Sequence, residues 1–153
     1  MKIGFAGLGK MGTAMGLRLI DQGNTLTVWN RTPGRAGALL AKGATEVKSS
    51  AELAAGNDLV ISMLFDDDAV VEVYTSKHGI LSGDVAGKVL VEMGTLRPET
   101  PRKLAPLVKA RGAGFLDAPV GGSVNPAREG KLLIIVGGDA DDFARAKPVL
   151  QDL

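Results

Sequence analysis

The chain has 153 residues, 45% of them hydrophobic, with 18 basic and 17 acidic side chains. That size and apolar content give one domain with a real core and exclude a disordered chain, while the balanced charge points away from nucleic acid and acidic membrane surfaces. Without cysteine there are no disulfides, no thiol catalysis and no zinc–thiolate site; no apolar run is long enough to span a bilayer, and with Met1-Lys2 leading straight into a strand the expected setting is the cytoplasm.

The first predicted strand is the apolar run Ile3-Gly4-Phe5-Ala6, followed by Gly7-Leu8-Gly9-Lys10-Met11-Gly12. A helix over about Met11–Asp21 comes next, with an apolar face of Met11, Ala14, Met15, Leu17, Leu19 and Ile20. Gln22-Gly23-Asn24 ends it, and Leu26–Trp29 forms a second strand closed by Asn30-Arg31-Thr32. Strand, glycine turn, helix and strand in this length is the context in which a G-x-G-x-x-G signature marks a dinucleotide site. Gly7 permits the tight turn, Gly9 lets a pyrophosphate approach bare backbone, and Gly12 allows close packing of helix on sheet. The free amides at the helix start, from Lys10 onward, then attract phosphate. The competing reading is an ordinary glycine turn.

The residue closing the second strand discriminates between nucleotides. A carboxylate there bonds the ribose 2′-hydroxyl of NAD, whereas a neutral residue with a nearby arginine accommodates the 2′-phosphate of NADP. Asn30 beside Arg31 fits NADP better than NAD. Thr32 and Pro33 read as the N-cap and first turn of a helix running to Ala41, and Arg35 adds charge. The competing reading leaves Arg31 as a solvated surface charge.

Further along, Thr45–Val47 reads as a weak strand and Ser50 as the cap of a short helix ended by Gly56. Leu59–Leu64 is a continuous apolar run, expected of a strand buried on both faces. A helix over Asp66–Tyr74, a strand over Lys88–Met93, a helix over Pro98–Arg111 and a strand over Ala113–Leu116 follow. Lys131–Val136 reads as another strand of the sheet, and Gly138-Asp139 caps a final helix, Ala140–Leu150. Strands alternating with helices predict a doubly wound, mainly parallel α/β sheet with helices on both faces. Its ligand-facing loops lie on the carboxyl edge of the strands.

Ser62-Met63-Leu64 on that edge should lie on the ribose and nicotinamide side. Asp66, Asp67 and Asp68 read as a helix N-terminus favoured by negative charge, not as a metal site. Thr95 either bonds a ribose or substrate, or caps the helix near Pro98. His78, the only histidine, sits in a polar turn without a visible acidic partner and is not assigned as an acid or base. Asp117-Ala118-Pro119-Val120-Gly121-Gly122-Ser123 reads either as a plain turn or as a nest of amides for an anionic substrate group.

Taken together, these stretches resemble the β-hydroxyacid dehydrogenase family. That family includes 3-hydroxyisobutyrate dehydrogenase and the glyoxylate and succinic semialdehyde reductases, and is related to 6-phosphogluconate dehydrogenase and the imine reductases. The resemblance is carried by Gly4–Gly12 with Met15, Trp29-Asn30-Arg31-Thr32, Ser62-Met63-Leu64, Glu92-Met93-Gly94-Thr95, Asp117–Ser123, Ala127–Leu132 and Val136–Asp139. It implies a Rossmann-like nucleotide domain over residues 1–153. Cofactor contacts are implied at Gly7, Leu8, Gly9, Lys10, Met11, Gly12, Asn30, Arg31, Thr32, Met63, Leu64 and Thr95, and substrate contacts at Gly121, Gly122 and Ser123. The Asn-Arg-Thr triplet resembles that of the NADP-preferring reductases. The family commonly writes the substrate loop Ser-Gly-Gly, with its serine where Gly121 stands, so the hydroxyl is displaced or lost here.

The family's proton-donating lysine lies on a long helix beyond the nucleotide domain. The sequence ends at Leu153, before that helix and, by expectation, before the last strand of the nucleotide domain. No catalytic residue is therefore assigned within the chain, and Lys131, expected at the start of an inner strand, is no substitute. The expected activity is NADPH-dependent reduction of a small aldehyde or 2-oxo acid, or its reverse, with the chain alone poorly active. Alternatives are an imine reductase or a catalytically silent binding module. No metal is expected, and uncovered apolar surface predicts self-association.

Overall fold

A computed structural model describes residues 1–153. The elements in chain order are β1 (Ile3–Ala6), α1 (Lys10–Asp21), β2 (Leu26–Trp29), α2 (Gly37–Leu40), β3 (Thr45–Glu46), α3 (Ser50–Gly56), β4 (Leu59–Ser62) and α4 (Asp67–Thr75). A 3-10 turn over Ile80–Ser82 leads to β5 (Val89–Glu92), α5 (Glu99–Ala110), β6 (Gly114–Asp117), β7 (Val120–Gly121), α6 (Val124–Glu129), β8 (Leu133–Ile134), β9 (Gly137–Gly138) and α7 (Ala140–Leu150). Seven strands form one sheet in the order β3-β2-β1-β4-β5-β6-β9. The first six run parallel, and β9 closes the edge antiparallel to β6.

Every residue of β1, β4 and β5 is buried, which explains their unbroken apolar runs. Alternate side chains feed two cores. Ile3, Phe5, Ile61, Val89 and Val91 pack with Met15 and Leu19 of α1 and Ala146 and Val149 of α7. Ala6, Val60 and Leu90 face the other way, onto Leu53 of α3, Val70 and Tyr74 of α4 and Leu104 of α5. The expected doubly wound sheet with helices on both faces is thus the observed one. The order reverses between β1 and β4, so a crevice opens at their carboxyl ends, where ligands bind in such sheets. The rear of α1 is tied down: Arg18 Nε donates to the Asp152 carbonyl at 2.8 Å, and Asn24 Nδ2 to Asp152 Oδ2 at 2.7 Å.

Several local expectations are corrected. The second helix begins at Gly37, with Ala36 at its N-cap, not at Pro33 with Thr32. Gly34, at φ +79°, takes the chain through a left-handed turn that no helix continues. Ser49, not Ser50, caps α3, accepting from the Glu52 amide. The run Lys131–Val136 yields only Leu133–Ile134 as strand, and this pairs with β7 in a separate two-stranded ladder. Lys131 consequently lies before β8, exposed, 2.8 Å from Glu129, and not on an inner strand. The loop after Asp117 contains β7 and the helix α6, which packs against α1.

Candidate functional site

One cleft of about 640 Å³ opens at the reversal point between β1 and β4. Around it stand Gly7, Leu8, Gly9, Lys10, Met11, Gly12, Asn30, Arg31, Thr32, Met63, Leu64 and Thr95, the whole set expected from sequence on the cofactor side. The expected substrate residues Gly121, Gly122 and Ser123 stand outside it. Gly121 ends β7, Gly122 turns at φ +136°, and Ser123 is the N-cap of α6 with no capping bond from its hydroxyl.

The three fingerprint glycines differ in what a side chain would meet. At Gly7, which has φ +93°, a Cβ would stand 2.3 Å from the Met63 carbonyl oxygen. At Gly12 it would stand 1.9 Å from the Gly7 carbonyl oxygen. Gly9 has φ −70°, and a Cβ there would meet nothing within 4 Å. Gly7 and Gly12 are therefore fixed by the protein's own packing, whereas the bare face of Gly9 borders open cleft. Gly9 is also the N-cap of α1, and no side chain caps that helix. The amides of Lys10, Met11 and Gly12 have no acceptor within the chain, leaving the positive end of a 12-residue helix open to an anion.

Asn30 joins the glycine turn to the end of β2. Its Oδ1 accepts the Leu8 amide at 2.8 Å, and its Nδ2 donates to the Thr32 carbonyl at 2.8 Å. Arg31 projects beside this tie, 66% exposed at its side chain, and pairs with Glu72 of α4 at 2.8 Å. Such an exposed pair contributes about 0–1 kcal/mol, so an incoming anion can replace the carboxylate. The lining contains three cations, Lys10, Arg31 and Arg35, and no carboxylate. With the helix terminus this makes a field suited to a polyanion.

Thr95 lies on the cleft and does not cap α5, whose N-cap is Pro98. Asp66 does cap α4, accepting from the Ala69 amide at 2.8 Å. Asp67 accepts from the Thr100 hydroxyl and the Arg97 amide and guanidinium. The Thr100 bond above all holds its carboxyl below the ordinary range. Asp67 thus joins α4 to the start of α5, Asp66 caps α4, and Asp68 lies in the first turn of α4. His78 is exposed, and its carbonyl serves α3 by accepting from Ser50 Oγ and the Ala51 amide.

Trp29, Phe65, Ala69 and Val73 also line the cleft but were not among the expected contacts. Phe65 is 95% exposed at the lip, an unusual cost for a large apolar ring. The available signal was the aromatic directly following the Ser62-Met63-Leu64 edge. Glu92 at the end of β5 is a buried carboxylate with no role assigned from the sequence; its partner Ser62 stands at the matching register of β4, a pairing that only the folded sheet reveals.

The fold and this cleft define a dinucleotide-binding α/β domain of the Rossmann type. The chain belongs to the family described as the NAD binding domain of 6-phosphogluconate dehydrogenase, which matches residues 2–153. It is 41% identical over 152 residues to 3-hydroxyisobutyrate dehydrogenase of Pseudomonas aeruginosa, covering 99% of this chain and 51% of that protein. To glyoxylate/succinic semialdehyde reductase 1 of Arabidopsis thaliana it is 37% identical over 153 residues, covering 100% of this chain and 53% of the relative. Among solved structures, Mycobacterium tuberculosis 3-hydroxyisobutyrate dehydrogenase with L-serine superposes at a TM-score of 0.92 and 32% identity, over 99% of this chain and 51% of that one. The Aspergillus terreus reductive aminase in complex with NADPH and ethyl-5-oxohexanoate gives 0.86 and 32%, over 99% and 52%. These names agree with the β-hydroxyacid dehydrogenase resemblance and with a nicotinamide cofactor. The chain spans about half the length of the relatives it matches.

Proposed function

We propose that this chain is an NADP(H)-binding domain serving hydride transfer between the cofactor and a small aldehyde, 2-oxo acid or hydroxy acid. The carrying observation is one cleft that joins the uncapped start of α1 to the Arg31 guanidinium. In this reading the amides of Gly9, Lys10, Met11 and Gly12 hold the pyrophosphate, with Gly7 and Leu8 shaping the turn. Arg31, with Thr32 and Arg35, takes the 2′-phosphate, and Asn30 holds the turn without adding a negative charge. Met63, Leu64 and Thr95 wall the nicotinamide end. The bound cofactor supplies the hydride, while the chain contributes position and charge. Gly121, Gly122 and Ser123 are assigned to the substrate, the free Ser123 hydroxyl being available to one of its oxygens. No proton donor is assigned among residues 1–153.

The test is titration with NADPH and NADH. Arg31→Ala is expected to weaken NADPH about 10-fold or more while leaving NADH within about 2-fold, the loss of one charge-assisted contact. Glu72→Gln, which frees Arg31, is expected to tighten NADPH by up to about 5-fold. Binding of NADH well ahead of NADPH in the parent would overturn the assignment. Imine reduction is a second reading, favoured by the similarity to the reductive aminase. Turnover of a cyclic imine but of no aldehyde by a protein carrying this domain would select it.

A further inference from the structure

Three elements meet beneath the nicotinamide-side wall, each through a polar group in an otherwise apolar layer. Glu92, the last residue of β5, is 0% exposed and pairs with no lysine or arginine. Its Oε1 accepts the Gly94 amide at 2.8 Å, and its Oε2 the Ser62 hydroxyl from the end of β4. Ser62 Oγ in turn lies 2.9 Å from the Tyr74 hydroxyl of α4. The Glu92 carbonyl accepts the Ala118 amide at 2.7 Å, where the chain leaves β6 toward Gly121. There is no slack around the loop: a Cβ on Gly94 would stand 2.8 Å from Glu92 Oε1 and 3.1 Å from the Leu64 carbonyl oxygen.

We propose that Glu92 is a positioning residue, its two carboxyl oxygens fixing the Met93-Gly94-Thr95 loop against the end of β4 and so setting the nicotinamide end of the cleft. This rests on the nicotinamide reading of the cleft. A buried carboxyl without a counter-charge is costly, and an apolar residue would complete β5 more cheaply. What a carboxyl adds is one acceptor for each of two neighbouring strand ends. When ionised, it receives charge-assisted bonds from the Gly94 amide and from Ser62, with Tyr74 donating to Ser62. When protonated on Oε2, it donates to Ser62, whose hydroxyl turns to the Val91 carbonyl 3.4 Å away, and the Gly94 bond weakens. The loop is held more firmly in the ionised state. The other titratable groups facing it are Tyr74 on α4 and Asp117, its register partner on β6; the Asp117 charge disfavours that of Glu92, while burial and then the Glu92 charge keep Tyr74 protonated. Burial raises Glu92 to about 7, so its charge changes near neutrality.

The experiment uses the 153-residue chain. Amide shifts of Gly94 and Thr95 are followed by NMR from pH 5.5 to 8.5 without ligand. In parallel, NADPH and 2′,5′-ADP are titrated by calorimetry and NADPH emission is recorded. In the parent, both amides should titrate together, and Glu92→Gln should abolish that titration. Ser62→Ala and Glu92→Ala should lower NADPH affinity about 5-fold or more and move its emission toward the free value. 2′,5′-ADP affinity should stay within about 2-fold in both, while Glu92→Gln, which keeps both bonds, should restore NADPH binding. Gly94 and Thr95 amides that ignore pH in the parent, or titrate unchanged in Glu92→Gln, would overturn the proposal. So would NADPH and 2′,5′-ADP weakening equally in Ser62→Ala. If neither ligand binds the parent, the cofactor reading fails, while the amide titration still decides the role of Glu92 in the loop.

Discussion

Gly9→Ala is expected to fold and melt like the parent yet lose NADPH affinity by about 10–100-fold. Residue 9 already has an ordinary negative φ, and its Cβ would meet no protein atom within 4 Å, so the folded apo chain carries no clash. The methyl group would instead occupy the space a pyrophosphate needs against the amides of α1, and forced overpacking of this kind costs about 1–3 kcal/mol. Gly12→Ala is the contrasting case. Its Cβ would stand 1.9 Å from the Gly7 carbonyl oxygen, a main-chain atom that cannot rotate away. The turn must shift, with an expected loss of about 2–3 kcal/mol, or roughly 5–10 °C in melting temperature, alongside the loss of binding. Thermal melts and NADPH titration on the two variants separate a ligand-facing glycine from a packing glycine. Equal destabilisation by both would refute the assignment of Gly9.

The second large effect is a fall in stability as the solution becomes more alkaline. Glu92 has an ordinary value of 4.5 and is raised by burial to about 7 in the folded chain. Over that interval the unfolded state binds fewer protons than the native state, so stability decreases with rising pH and levels off above pH 7. Between pH 5 and pH 8 the expected loss from this group is about 2–3 kcal/mol, seen as roughly 5–10 °C in melting temperature. Asp117, raised by partial burial, acts in the same direction. Asp67 and Glu129 are lowered by hydrogen bonds from Thr100 and Lys131; they act oppositely, and their contribution is complete before this window opens. Glu92→Gln is expected to flatten the profile and to exceed the parent in stability at pH 8. A parent that melts at the same temperature at pH 5 and pH 8 would contradict the burial argument.

The sequence revealed most where structure is made locally. The β1–α1–β2 unit follows from the apolar run, the glycines and the helical face of α1, all within 29 residues. The buried strands β4 and β5 were legible for the same reason, and so were the residues around the cleft, because a parallel sheet brings its strand ends to one edge. What escaped depends on partners distant in the chain. Pro33 looked like a helix start, but the left-handed turn at Gly34 delays the helix to Gly37. The apolar run Leu132–Val136 implied a sheet strand over Lys131–Val136, yet two residues bearing no side chain, Gly137 and Gly138, take the edge beside β6. Glu92 gave no sign that its oxygens are satisfied by Ser62, 30 positions earlier, and by an amide two residues later.

The small tie made by Asn30 has a consequence for anyone wishing to redesign coenzyme preference. A carboxamide both accepts, from the Leu8 amide, and donates, to the Thr32 carbonyl. An aspartate in its place can still accept, but its second oxygen would confront the Thr32 oxygen, lone pair against lone pair. On the NADP(H) reading proposed above, an Asn30→Asp change made alone to favour the non-phosphorylated dinucleotide would therefore unfasten the bend that carries Arg31. A working conversion needs a compensating change in the Thr32–Gly34 backbone, so the residue and the bend must be redesigned together.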